Sequence, residues 1–330
     1  MSTLRTIAVA GSTGFVGRAV VRELLSRGFS VRALARSRDK ARAVLPVVGN
    51  PKLSIVVGDV LESGRAEELL AGADACINCI GILREDRMEG KTFEGQHVRA
   101  TRNLVQACEA RSVSRFIQIS ALGVSEDGVC DYQKSKWESE NTVRLSSLAW
   151  TILRPGLIHG PESEIVQLVK GWASGKSQPW IFMPYFLRME EDKRVPLGPI
   201  NMVDPVIQPV AVEDVAIAAA VALEKPEAIG EVYNVVGSEE LSWPEMLTFM
   251  RDHLPGADRS KPAFGVPGKI MALKAKAAQF IGAGKLLPFD DGMPLMGSQD
   301  CRASLDKLHK HLGVRPHAFK ASFEKYAASV

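Results

Sequence analysis

"TIAVAGSTGFVGRAV", residues 6–20, decides the fold. An apolar run from Thr6 to Ala10 has strand character, and it passes straight into a loop with glycines at 11, 14 and 17, where a helical pattern begins. Each glycine has its own job. The three are a tight turn, close approach of backbone to a pyrophosphate, and close packing of helix on strand. The helix start adds N–H groups without partners and the positive end of its dipole, which suit a phosphate. Ser12, Thr13, Phe15 and Val16 fill the loop between Gly11, Gly14 and Gly17 and belong to the same expected nucleotide contact. The alternative is a glycine-rich turn with no ligand, and the strand–turn–helix setting argues against it.

Outward from this loop, "SVRALAR", "LSIVVGD", "ACINCIG", "RFIQIS" and "WTILRPG" read as further strands, rich in Val, Ile and Leu and ended by turn residues. Helical periodicity fills the gaps, as in Val16 to Arg27 and Val98 to Arg111. Strands alternating with helices imply crossovers and an α/β fold whose doubly wound parallel sheet is covered on both faces, with its ligand at the carboxyl ends of the strands. After "RPGLIHGP" the segment 159–208 turns richer in Pro, Gly and aromatics. "IQPVAVEDVAIAAAVAL" then reads as strand and helix, and "GEVYNVVG" as one more strand, so the chain returns to the first lobe. The expected division is a nucleotide-binding domain over 1–158 with a return segment near 206–237, and a smaller, mainly helical C-terminal lobe from 159–205 and 238–330. Ser242 with Glu245 has capping-box spacing, and Gly313 and Pro316 separate the last two helices.

Charge excludes one class of partner. The 41 basic and 38 acidic side chains leave a net charge of +3 with no block of like charge, so no nucleic acid is expected. Five cysteines make no disulfide framework in a chain this size and fit a reducing compartment. Cys76 and Cys79 form a C-x-x-C inside an apparent strand, where residues three apart face opposite ways. His309 and His311 do not share a helix face, so no metal site is expected. "MSTLR" is unlike a secretion signal, and no run approaches the roughly 18 apolar residues of a spanning helix. The expected location is cytoplasmic, with association at the membrane periphery left open.

The end of the second strand bears on the choice of nucleotide. An NAD site usually places an acid there to meet the ribose hydroxyls. Here "ALARSRDK" brings Arg36 and Arg38 before any acid, which favours NADP(H) over NAD(H) through its 2′-phosphate. A solvated basic helix start is the competing reading. Asp59, with Val60 beside it in "VVGDV", is placed for the adenine edge or equally for a helix cap. Gly81 keeps the end of the fourth strand open to a cofactor.

In "DYQKSK", Tyr132 and Lys136 would share one helix face about a turn apart, so that an ammonium could lower a phenol's pKa. Taken in order, "GSTGFVG", "VVGDV", "INCIGI", "TFEGQHVRATRNLVQAC", "RFIQISALGV", "YQKSK", "LRPGLIHGPE" and "QPVAVEDVA" resemble the atypical extended short-chain dehydrogenase/reductases. Within these the chain looks most like the group around the nucleotide-binding accessory subunit of respiratory complex I and its bacterial relatives. The likeness covers roughly residues 5–250 and fades in the C-terminal helices. It implies an NADP(H)-binding Rossmann lobe, with Tyr132 as general acid or base, Lys136 tuning it and binding the nicotinamide ribose, and Ser120 holding the substrate oxygen. It also implies that Pro155, Leu157 and Ile158 face the nicotinamide carboxamide. Where many extended members carry Asn, this chain has His97, either a relay or a structural histidine.

The expectation is an NADP(H)-dependent oxidoreductase acting on a carbonyl, alcohol or activated double bond. The alternative is an NADPH-binding scaffold or sensor that supports a protein partner. A third, an epimerase or dehydratase, has no nucleotide-sugar site to identify it. Trp172, Trp180, Phe182, Tyr185 and Phe186 crowd into one stretch, either as a flap over an apolar small molecule such as a quinone or isoprenoid, or as the small lobe's core. A helix over Val266 to Ile281 would set Ile270, Leu273, Ala277 and Phe280 on one side with Lys269 and Lys276 elsewhere, for peripheral membrane contact or for packing on the lobe.

Overall fold

The computed structural model describes residues 4–46, 50–191, 199–280, 287 and 289–330. Its centre is a sheet containing β1 (Thr6–Ala10), β2 (Ser30–Ala35), β3 (Leu53–Val57), β4 (Ala75–Asn78), β5 (Arg115–Ile119), β6 (Ala149–Pro155) and the late strand Glu231–Val235. The seven lie in the order Glu231–Val235, β6, β5, β4, β1, β2, β3, and every neighbouring pair is parallel. The winding reverses between β1 and β4, which opens a crevice at their carboxyl ends.

Burial explains why these strands read as almost unbroken apolar runs. Ile7, Ala8, Val9 and Ala10 are all fully buried because helices cover both faces of the sheet. On one face lie α1 (Phe15–Ser26) and, much later in the chain, α7 (Val212–Glu224), and Leu24 shares a core there with Val215 and Leu223. On the other lie α3 (Arg65–Leu70), α4 (Ala100–Ala110) and α5 (Asp131–Arg144), with Leu69, Leu104 and Val143 against Phe116 and Ile152. The short α2 (Arg38–Val44) follows β2.

The smaller lobe is built from α6 (Glu164–Ala173), α8 (Trp243–His253), α9 (Gly268–Phe280), α10 (Gly292–Gly297) and α11 (Phe319–Ala327). The Ser242–Glu245 capping box is present at the start of α8. Between the helices lies a three-stranded sheet that the sequence did not announce. Met183–Glu191 pairs parallel with Ala263–Pro267 on one side and antiparallel with Ile200–Val203 on the other. The parallel partners are far apart in sequence, so no local turn signal marks them.

Two expectations change, and a third that was left open is narrowed. The helix expected from Val98 begins earlier, in a π-helical stretch Glu94–Arg99 that runs on into α4. Residues expected in the smaller lobe return to the sheet, where Leu308, Leu312 and Val314 join the core beneath α7. Finally, α9 turns its small residues inward: Gly268, Ala272 and Ala275 are buried, while Ile270, Leu273 and Phe280 are 44%, 70% and 93% exposed. Ile281 lies outside the described residues.

Candidate active site

The glycine loop closes on the neighbouring strand so tightly that two of its positions cannot carry a side chain. Gly11 has φ +74°, and a Cβ there would lie 2.8 Å from the carbonyl carbon of Cys79, just past β4. A Cβ on Gly17 would lie 2.1 Å from the Gly11 carbonyl oxygen. Gly14 is the N-cap of α1 and no side chain caps it. The amide of Arg18 bonds back to the Gly14 carbonyl at 3.0 Å, so the N–H groups before it face the loop, as an anion requires. Ser12 pins the loop to the next strand by donating to the Leu34 carbonyl at 2.7 Å. Phe15 packs against Gly160, and Val16 leans on the core.

A cavity of about 160 Å³ runs from this loop along the strand ends, lined by Gly11, Thr13 and Gly14, then Arg36, Lys40, Asp59 and Val60, then Ile80, Gly81 and Gln96. Arg36 is therefore at the rim, whereas Arg38 is the first residue of α2 and does not line it. The second base is Lys40, which the sequence reading passed over although it belongs to the same basic run. Gln96 was missed as well, because its orientation depends on the π-helical stretch. Asp59 lines the cavity, and its Oδ1 accepts the Leu61 amide at 2.9 Å within the turn ahead of α3, whose N-cap is Gly64 rather than Asp59. Asn103 holds the Val60 carbonyl at 2.9 Å.

Past the far end of the cavity stand three titratable groups, Lys136 and His97 buried and Tyr132 half-buried. Lys136 Nζ would lie 3.5 Å from a Cβ on Gly81 and donates to the Ile119 carbonyl at 2.8 Å. Burial lowers its pKa to about 8, against the pull of Glu140 and Cys79. His97 is 2% exposed. Its Nδ1 lies 2.8 Å from Ser135 Oγ, which itself donates to the Tyr132 carbonyl, and its Nε2 lies 3.1 Å from the Ile82 amide. The tautomer that satisfies both contacts carries its proton on Nδ1 and accepts on Nε2. Burial first, then the charge of Lys136, push its pKa down to about 2, so the ring stays neutral. Tyr132 sits edge-on to His97 and Phe93, at 5.4 Å and 5.9 Å between ring centres. Burial, and then the thiols Cys130 and Cys301, raise its pKa. The lowering expected from Lys136 is not what governs this phenol.

Ser120 is placed differently from its expected role. Its hydroxyl donates to Glu140 Oε1 at 2.6 Å, so its one proton is committed inside the protein. Glu140 is fully buried and also accepts from Arg154 at 2.7 and 2.8 Å and from Arg144 at 2.9 Å. Burial opposes its ionisation, but these hydrogen bonds outweigh burial and hold its carboxyl below the usual range. Pro155, Leu157 and Ile158 do not line the cavity. They flank Gly156, whose Cβ position lies 3.3 Å from Cys301 Sγ, the thiol that acts on Tyr132. Of the crowded aromatics, Trp172 is core and Tyr185 donates to Asp204 at 2.8 Å; none of the five lines the cavity. Among the described residues no group of three or more His, Cys, Asp or Glu could hold a metal ion.

Comparison with known proteins agrees with this geometry. The profile of a family described as NAD(P)H-binding matches residues 11–177. The chain is 28% identical over 245 residues to NADH dehydrogenase (ubiquinone) 1 alpha subcomplex subunit 9 of Dictyostelium discoideum, covering 74% of this chain and 62% of that one. It is 32% identical over 155 residues to the ceramide reductase of Caulobacter vibrioides, covering 47% of each chain. The chain thus spans less than two thirds of the length of these relatives. A UDP-glucuronic acid 4-epimerase from Bacillus cereus, solved with NAD, superposes with a TM-score of 0.70 at 18% identity over 98% of this chain and 97% of that one, which shows the shared fold.

Proposed function

We propose that this chain, which belongs to the NAD(P)H-binding Rossmann family of extended short-chain dehydrogenase/reductases, is an NADP(H)-dependent reductase of a carbonyl or activated double bond in an apolar molecule. One observation carries the reading: Lys136, on the helix of Tyr132, reaches Gly81 at the end of the same cavity that begins at the glycine loop. Gly11, Gly14 and Gly17 leave room where side chains would stand, and the uncapped start of α1 faces a diphosphate. Arg36 and Lys40 at the rim suit the 2′-phosphate of NADP(H).

The bound coenzyme supplies the hydride. Tyr132 supplies the proton. The phenol keeps its proton at neutral pH, and because burial raises its pKa and weakens it as an acid, donation to an oxygen that gains charge as its carbon is reduced relies on a charge that steadies the phenolate formed. Lys136, with a pKa near 8, remains largely charged at neutral pH and stabilises the phenolate left behind, which solvent then reprotonates. Neutral His97 braces the pair through Ser135 and Ile82. Ser120 acts through Glu140 as a positioning residue, and the substrate oxygen is held by other groups. Similarity to a ceramide reductase supports both the reductive direction and an apolar substrate.

A second reading rests on two observations: the commitment of Ser120, and the similarity to a subunit of a dehydrogenase complex. In it the chain is an NADPH-binding member of a larger assembly. NADPH fluorescence and its oxidation by long-chain carbonyl compounds separate the two. Tyr132→Phe should lower turnover by about 10²–10⁴-fold with the NADPH Kd unchanged. Undiminished turnover would remove Tyr132 as the proton donor, and tight NADPH binding without turnover on any such compound would favour the second reading.

A further inference from the structure

We propose that α9 is a docking surface for an anionic lipid bilayer. At about 100° per residue, Ile270, Leu273, Ala277 and Phe280 fall within an arc of about 80°. That row faces away from the protein: the three large side chains are 44%, 70% and 93% exposed, while Gly268, Ala272 and Ala275 on the opposite side are buried. A helix that packs its small residues inward and leaves a phenylalanine almost bare has its apolar face still unburied.

Charge identifies the occupant. Lys269 and Lys276 border the row on one side and Lys274 on the other, all three exposed. The helix contains no acid, and none of the three lysines has an ion-pair partner among the described residues. Ammonium groups flanking an apolar row match lipid phosphates above acyl chains, the arrangement of a helix lying in the interface plane. No described helix is long and apolar enough to cross a membrane, so the contact is peripheral. Phe264, 54% exposed in the strand that leads directly into the helix, extends the apolar area.

The buried side of α9 connects through α10 to the start of α5, the helix of Tyr132. A Cβ on Gly268 would sit 2.6 Å from the Pro294 carbonyl of α10, and one on Gly292 would sit 3.2 Å from Cys130, the N-cap of α5. A bilayer under α9 would therefore lie on the side of the protein that carries α10 and the start of α5. The membrane contact does not depend on the chemistry assigned to Tyr132, and its test reads binding alone.

The test is flotation of the full chain with vesicles of phosphatidylglycerol and phosphatidylcholine, against vesicles of phosphatidylcholine alone, at low and high salt. The wild type should float with the anionic vesicles and be released by salt. The double variant L273D/F280D should lower partition by about tenfold or more, and K269E/K274E/K276E should abolish the preference for anionic lipid. NADPH fluorescence should be unchanged in every variant, which shows that the fold is intact. Absence of vesicle binding by folded wild-type protein overturns the proposal, as does binding that L273D/F280D leaves unaltered. A wild-type dimer that ignores vesicles and becomes monomeric in L273D/F280D would assign the face to a second copy instead.

Discussion

Where β1 turns into α1, the surface offered to a ligand is backbone: Gly11 against Cys79, Gly17 under the Gly11 carbonyl, and the bare amides of a helix start. Along the same cleft, past Gly81, the surface becomes Lys136, held by the Ile119 carbonyl, His97, held by Ser135 and Ile82, and Tyr132, held edge-on between the rings of His97 and Phe93. The first end works because atoms are missing. The second works because groups with proton equilibria are kept from water, and each is tuned by neighbours from elsewhere in the chain. A single substitution should therefore act at the first end by steric exclusion and at the second through charge and stability.

The largest effect is expected at the backbone end. Gly17→Val places atoms where 2.1 Å separates Cβ from a carbonyl oxygen, and should weaken NADPH binding by at least about a hundredfold as read by cofactor fluorescence. If affinity survives, the division between the two ends fails. At the other end, Glu140→Ala leaves Arg154, Arg144 and Ser120 without their shared acceptor and should cost about 3–5 kcal/mol in urea denaturation.

Acid should sharpen the contrast. His97 has a folded pKa near 2 and His159 one near 4, both below the ordinary 6.5, so the unfolded chain binds protons that the folded one refuses. The stability they contribute is intact above pH 6.5 and is lost as pH falls toward the folded values. By linkage each histidine accounts for a loss of about 2 kcal/mol between pH 7 and pH 5. His97→Asn should therefore roughly halve the loss due to this pair, measured by denaturant titrations at the two pH values. The smallest effect belongs to the exposed rim. Arg36→Ala should weaken NADPH by about tenfold while changing NADH little, and equal losses for the two would remove the 2′-phosphate contact.

The same division explains what could be read from the sequence. Strands covered on both faces write themselves as apolar runs, and glycines that exclude Cβ atoms must be glycines, so β1 to β6 and the loop over residues 11–17 were visible. Tyr132 and Lys136 were visible as a spacing on one helix. Their environment was not: Ser120 looked available because its partner Glu140 stands 20 residues on, in α5, and no local pattern marks the contact. The tuning of Tyr132 comes partly from Cys301, far along the chain, and no local pattern announces such a neighbour. In α9 the periodicity was legible, but a pattern cannot say which face meets the protein. Only the packing of Gly268 and Ala272 settles that.

The π-helical stretch Glu94–Arg99 has a consequence for how this cleft tolerates change in length. A wider turn takes up surplus residues that an ordinary helix would pass on as rotation. Upstream, Phe93 keeps its phase toward Tyr132, and downstream, Leu104 keeps its phase toward the sheet. Removing a single residue from this turn would tighten it and swing His97 out of line with Ile82 and Ser135, with every substitution-based map of the site still intact. Loss of one residue here should therefore disturb the cleft through helical phase, a route that no replacement at a single position takes.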